Sequence, residues 1–136
     1  MKALEQAIWQ RLTGDATLMA VITGIYNVAA PERAVYPFAI FQLVAANDSY
    51  TFRKRVATQY LYQLRIAGEG LDKEPLLDAL ERADVLLTLQ VFNLGGAKAA
   101  RIVRETRLPD MSDMVEGKMY VQVGSSYRIW VRKEGA

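Results

Sequence analysis

Residues 56–67, with the sequence Val-Ala-Thr-Gln-Tyr-Leu-Tyr-Gln-Leu-Arg-Ile-Ala, are the most informative stretch for predicting the fold. From position 60 to position 66 the even positions are aromatic or aliphatic, while Gln63 and Arg65 lie between them. This two-residue period is typical of a β-strand with one face in the core. The preceding residues 38–46 are largely apolar at both odd and even positions, which predicts a central strand. Together the two stretches predict a long hairpin whose tip carries residues 47–55.

Three segments show the spacing of amphipathic helices. The first covers residues 3–12, and Asp15 is predicted to cap a second, short helix. The third is capped by Asp72 and runs to about position 88, with Pro75 tolerated in its first turn. Residues 23–37 are punctuated by glycine and proline and are predicted to be irregular.

The C-terminal third predicts further strands. Residues 99–108 alternate as a strand, and residues 118–132 form a last strand or strand pair. Within that stretch, Gly124-Ser125-Ser126 predicts a bulge or a turn. Residues 109–117 contain proline, glycine and acidic residues and are predicted to be a loop.

The order of these elements, α-α-β-β-α-β-β, predicts an α+β fold. Strands grouped before and after one helix favour an antiparallel or mixed sheet of four to five strands with helices packed on one face. No repeat or composition shift marks a second domain, so residues 1–136 are predicted to be one domain.

The amino-acid composition excludes several common classes of catalytic site. The chain has no cysteine and no histidine, which excludes disulfides, thiolate metal sites and histidine-dependent triads. Gly95-Gly96-Ala97-Lys98 lacks the full phosphate-loop pattern and leads into a predicted strand. We therefore predict no catalytic, cofactor-binding or metal-binding residues and no enzyme activity, although carboxylate or lysine chemistry stays formally open. We also expect no signal peptide and no membrane span.

Three places are candidates for interfaces instead. A basic run with neighbouring aromatic residues occupies the predicted hairpin tip, methionines interrupt the polar predicted loop, and one tryptophan lies opposite a predicted core face. The candidate interface residues are Tyr50, Phe52, Arg53, Lys54, Arg55, Met111, Asp113, Met114 and Trp130. The alternative for the basic run is an ordinary solvated tip, and for the methionines it is a loop folded back over the sheet.

Nearly the whole chain resembles the tail completion, or tail terminator, proteins of long-tailed, siphovirus-like bacteriophages and prophages. Each motif is a hydrophobic pattern, and their order carries the resemblance. In sequence they are Leu4-Glu5-Gln6-Ala7-Ile8, Arg11-Leu12, Asp15-Ala16-Thr17-Leu18, Gly24-Ile25-Tyr26, Ala30-Pro31, Tyr36-Pro37-Phe38-Ala39-Ile40-Phe41-Gln42, the helix at residues 76–89, and Tyr127-Arg128-Ile129-Trp130-Val131. Residues 47–55 and 109–117 are not matched.

The resemblance implies a structural protein of the virion, located at the tail–neck junction and assembled in the host cytoplasm. Such proteins form a ring, commonly of six copies, on the last ring of tail-tube subunits. The ring stops tube polymerisation and offers a surface to the head-side connector, and DNA later passes through its lumen. The implied partners are thus the chain itself, the tail tube protein and the connector.

The sequence also allows two alternative functions. A head-completion or neck protein would share the assembly features. A small nucleic-acid-binding module would use the basic run at Arg53, Lys54 and Arg55 against phosphates, although the formal net charge is only +2.

Overall fold

A computed structural model describes residues 2–51, 54–70, 72–95 and 97–133. The described residues form three helices and six strands, and the strands lie in one sheet. The helices are α1 (Lys2–Thr13), α2 (Ala16–Met19) and α3 (Glu74–Leu87). The strands are β1 (Ile25–Asn27), β2 (Phe38–Thr51), β3 (Lys54–Glu69), β4 (Phe92–Asn93), β5 (Ala97–Val115) and β6 (Lys118–Lys133).

The sheet has the order β1-β2-β3-β6-β5-β4. Strand β1 pairs with β2 in parallel, and all the other neighbours are antiparallel. The predicted α+β fold with a mixed sheet is therefore confirmed. The strand number is higher than predicted because β1 and β4 have three and two residues, too few to show a period in the sequence.

The core lies between the helices and one face of the sheet. Alternate residues of β3, such as Leu64 and Ile66, are buried, whereas Gln63 and Arg65 on the other face are half-buried. The helices add apolar stripes to this face: Leu4, Ile8 and Leu12 from α1, and Leu76, Ala79, Leu80, Ala83, Leu86 and Leu87 from α3. Burial of these side chains is the main stabilising contribution to the fold.

The helix termini follow the predicted pattern with one shift. Asp15 caps α2, because its Oδ2 accepts a hydrogen bond from the Leu18 backbone N–H at 2.9 Å. Asp72 was predicted to cap α3, but the N-cap residue is Lys73, which makes no side-chain cap bond. The Asp72 carboxylate still accepts a hydrogen bond from the Glu74 N–H at 3.1 Å, so it satisfies one of the free donors of the first turn.

The hairpin formed by β2 and β3 has longer strands and a shorter tip than predicted. Strand β2 runs to Thr51 and β3 begins at Lys54, so most of the predicted tip at residues 47–55 is paired strand. The prediction of a central β2 is wrong beyond Phe41, because β1 covers only residues 39–41. The middle pair of the six strands is β3 and β6.

The predicted loop at residues 109–117 is wrong. Strand β5 continues to Val115, and only Glu116 and Gly117 form the turn before β6, both with positive φ. Pro109 is tolerated because the pairing register with β6 shifts between Leu108 and Met111, and a bulge does not need the ladder N–H that proline lacks.

Of the bulge or turn predicted at Gly124-Ser125-Ser126, the turn is wrong, since β6 is continuous and its register with β3 runs through these residues unshifted. Its pairing with β5 does shift register on both sides of this stretch, between Arg104 and Thr106 and between Leu108 and Met111. Gly124 is required for another reason. A Cβ at this position would lie 2.7 Å from the Leu64 carbonyl oxygen, so the neighbouring backbone leaves no space for a side chain.

Candidate assembly surfaces

The predicted interface residues fall in three separate places. Tyr50, Lys54 and Arg55 lie at the tip of the β2–β3 hairpin, which we call the basic tip. Met111, Asp113 and Met114 lie near the turn of the β5–β6 hairpin, and we call residues 111–116 the acidic tip. Trp130 lies on the sheet face opposite the helices. Phe52 and Arg53 lie outside the described residues.

The basic tip exposes an aromatic ring beside cationic groups. Tyr50 is 69% exposed, and both Lys54 and Arg55 are exposed. Arg55 approaches Asp48 at 3.9 Å, but its side chain is 61% exposed, so this pair is weak. Asp48 is held mainly by the Thr58 hydroxyl, which donates to its Oδ1 at 2.7 Å. The positive charge of the tip is therefore largely available to a partner.

The acidic tip exposes apolar side chains beside two carboxylates. Met111, Met114 and Val115 are 52%, 62% and 48% exposed. Asp113 and Glu116 are exposed, and no described residue forms an ion pair or hydrogen bond with either side chain. Exposed methionines beside unpaired carboxylates are typical of a surface that a partner covers.

Two other acidic residues near this tip have cationic partners among the described residues. Lys73 Nζ and Arg107 Nη2 donate to the Asp110 carboxylate at 2.8 and 2.9 Å. The hydrogen bond from Lys73, followed by that from Arg107, lowers the pKa of Asp110 below its ordinary value. Glu69 pairs with Lys118 at 3.5 Å. The free negative charge of the acidic tip thus comes from Asp113 and Glu116.

The two tips lie at opposite ends of the sheet. Near the basic tip, Ala57 of β3 is aligned with Arg132 of β6, and near the acidic tip Glu69 is aligned with Tyr120. Strand β6 spans most of this length with 16 residues. At about 3.3 Å per residue the ends are roughly 50 Å apart, far more than any side chain can bridge.

Trp130 is partly covered by its own chain. Its ring is half-buried, and the Arg101 guanidinium lies 5.4 Å from the ring centroid in a cation–π contact. Next to it, Arg128 makes a bidentate ion pair with Glu105, with distances of 2.7 and 2.9 Å from Nη2 to the two carboxylate oxygens. This ion pair joins β6 to β5 across the sheet.

Sequence reasoning missed the outer edge of β2. Beyond Phe41, no described strand pairs with that side, and Leu43 and Val44 are 42% and 47% exposed. Their apolar character was visible in the sequence, but it was assigned to a central strand. Only the order of strands in the sheet shows that this stretch lies at an edge.

An aromatic groove on the helix-free face was also missed. It encloses a volume of about 270 Å³. Tyr36 stands between Phe38 and Tyr120, with ring centroids 4.8 and 5.2 Å away. Among its described lining residues Arg65 alone is charged, which favours packing of apolar surface over acid–base chemistry.

The described residues contain no group of three or more aspartate or glutamate side chains placed to hold a metal ion. None of the described helices is long and apolar enough to cross a bilayer.

The six-stranded mixed sheet with helices on one face defines the structural class, an α+β fold. No family model and no curated protein matches the chain. Among solved structures, a chain from the virion of a native gene transfer agent particle has a TM-score of 0.61 at 17% sequence identity, covering 93% of this chain and 94% of that one. A second solved structure has a TM-score of 0.57 at 13% identity and covers 94% of each chain. At these identities the likeness shows a shared fold.

Proposed function

We propose that this chain is a structural protein of a phage-like virion, one that forms a ring on the end of a tail tube. The ring stops polymerisation of the tube and provides the surface on which head and tail are joined. The observation that supports this most is the shared fold with a chain of a gene transfer agent virion over 93% of this chain. The proposed partners are further copies of the chain, the tail tube protein and a head-side connector, and no enzymatic step is required.

The surface supports an assembly role independently of that likeness. Exposed apolar side chains occur at both tips and along the β2 edge, and such side chains suit surfaces that are covered on assembly. The two tips also differ from each other, as a closed ring requires, because a ring is built from head-to-tail contacts between unlike surfaces. Passage of DNA through the lumen belongs to the proposal, with no residue assigned to contact it.

The test is electron microscopy of particles assembled with and without this chain. Tubes that grow beyond their normal length in its absence, and that are capped when purified chain is added back, are the expected result. Tubes of normal, controlled length without the chain would refute the proposal.

A head-completion or neck protein is the second candidate. The likeness to a virion chain favours it equally, because a common fold does not fix a position within the particle. Co-purification distinguishes the two: the ring-capping role predicts recovery with tail tubes, and the neck role predicts recovery with portal-side components and none with tubes.

A further inference from the structure

We propose that the basic tip of one copy docks against the acidic tip of the next copy. The inference rests on the proposed function, since it names the contact that would close the ring. Both surfaces belong to this chain, and they lie on different hairpins at opposite ends of the sheet.

The first argument is that the charges at both tips have weak partners or none among the described residues. Lys54 at one end and Asp113 and Glu116 at the other are exposed and make no described ion pair, while Arg55 has only a long, solvent-exposed one. The separation of roughly 50 Å exceeds the Debye length of about 8 Å at physiological salt, so the tips cannot neutralise each other within one chain.

The second argument is chemical complementarity. Each tip combines exposed charge with exposed apolar area on one face: Tyr50 is the cross-strand partner of Arg55, and Met111 and Asp113 lie on the same face of β5. An aromatic ring packed on a flexible methionine forms an apolar centre, and opposite charges beside it form a polar rim, as in ordinary protein interfaces. A like-charged pairing of basic tip with basic tip would instead be repulsive.

The third argument concerns symmetry. A contact between unlike surfaces on one chain is heterologous, so it propagates from copy to copy and closes into a ring where the rotation permits. Because the tips lie at the two ends of the strands, successive sheets would follow one another end to end. The contact therefore accounts for self-association and for a fixed direction around the ring.

The experiment measures the mass of the purified full chain in solution by light scattering and sedimentation, at low and at raised salt. The basic-tip variant carries Lys54→Glu and Arg55→Glu, and the acidic-tip variant carries Asp113→Lys and Glu116→Lys. We expect wild type to associate at low salt and to dissociate as salt rises, and each variant alone to be monomeric. An equimolar mixture of the two variants should recover association, because the reversed tips complement each other.

A matched control carries Asp78→Lys and Glu81→Lys on the exposed side of α3, which changes the net charge by the same amount as the acidic-tip variant. It should associate like wild type. Cooperative unfolding checks that every variant is folded, and Lys54→Gln with Arg55→Gln replaces the reversal if the basic-tip variant does not fold. The neutral pair should weaken association at least tenfold.

Three results would overturn the inference: wild type that is monomeric at low salt, either tip variant associating like wild type, or a mixture that stays monomeric. Wild type that is monomeric but binds a DNA duplex would assign the basic tip to nucleic acid instead. If mixing restores association while tube length is unaffected by the chain, the ring-capping role fails and the tip contact stands. If wild type caps tubes and both tip variants still associate, the tip contact fails and the capping role stands.

Discussion

Replacing Tyr127 by phenylalanine tests how the sheet is joined to α3. Tyr127 is 2% exposed, and its hydroxyl donates to the Asp84 carboxylate at 3.1 Å. Asp84 also accepts from the Thr88 hydroxyl at 3.2 Å and lies 3.9 Å from Arg104. The substitution keeps the ring and removes one hydrogen bond, and the carboxylate retains its other partners.

The expected loss in the free energy of unfolding is about 1–2 kcal/mol. A hydrogen bond to a charged group contributes roughly 1.5–3 kcal/mol, and the remaining partners and partial solvent access of Asp84 place this one toward the lower end. Urea unfolding followed by tryptophan fluorescence measures the loss. Tyr60→Phe is the matched control, because Tyr60 is half-buried and its hydroxyl has no hydrogen-bond partner among the described residues. Equal stability of the Tyr127 and Tyr60 variants would refute the reasoning.

The same variant has a pH signature. Burial first, and the negative charge of Asp84 second, raise the pKa of Tyr127 above its ordinary value of 10.0. A raised folded-state pKa means that the stabilisation is present below pH 10 and is lost as pH rises above it. Wild type should therefore lose stability at alkaline pH more steeply than Tyr127→Phe. Parallel alkaline profiles for the two proteins would contradict this assignment.

Three further substitutions test other parts of the fold. Hydrogen bonds from Arg82 first, and then from the Leu18 N–H, lower the pKa of Asp15 from its ordinary 3.8 to about 2. Wild type should therefore lose stability as the pH falls from about 4 toward 2. Thermal unfolding of Asp15→Asn should lack this loss at acid pH. Ile66→Ala, at a fully buried position of β3, should cost about 2–5 kcal/mol in urea unfolding, and a cost below 1 kcal/mol would show that the core there collapses or is loosely packed. Gly124→Ala should lower the free energy of unfolding by about 1–3 kcal/mol, because the added Cβ would overlap a backbone oxygen. An unchanged midpoint of urea unfolding would show that β3 and β6 can move apart.

Local periodicity predicted the elements whose signal lies within one strand or helix. The alternation in residues 56–67 identified β3, and the apolar stripes identified α1 and α3. The predictions failed where tertiary contacts determine the secondary structure. The residues around Pro109 are typical of a turn, yet pairing with β6 keeps them in a strand that contains a bulge.

The interface candidates show the same division. Tyr50 was selected as an aromatic residue beside the basic run, and Met111 and Met114 as methionines in a polar predicted loop. The structure exposes all three. Their arrangement at two opposite ends was not predictable, because it depends on the antiparallel pairing of β3 with β6, which are distant in sequence. The exposure of Val44 was missed for a similar reason, because the sequence of a strand does not show which strands pair with it on either side.

The two long edges of the sheet also differ in a way that bears on assembly. The outer side of β5 is protected against further strand pairing by three register shifts in its pairing with β6, by Pro109 and by a series of charged residues. The outer side of β2 instead presents Leu43 and Val44 without a charged or proline residue beside them. Continuation of the sheet from β5 into another copy is therefore disfavoured. The β2 edge beyond Phe41 has no such protection, so of the two edges it is the one open to pairing with a further strand.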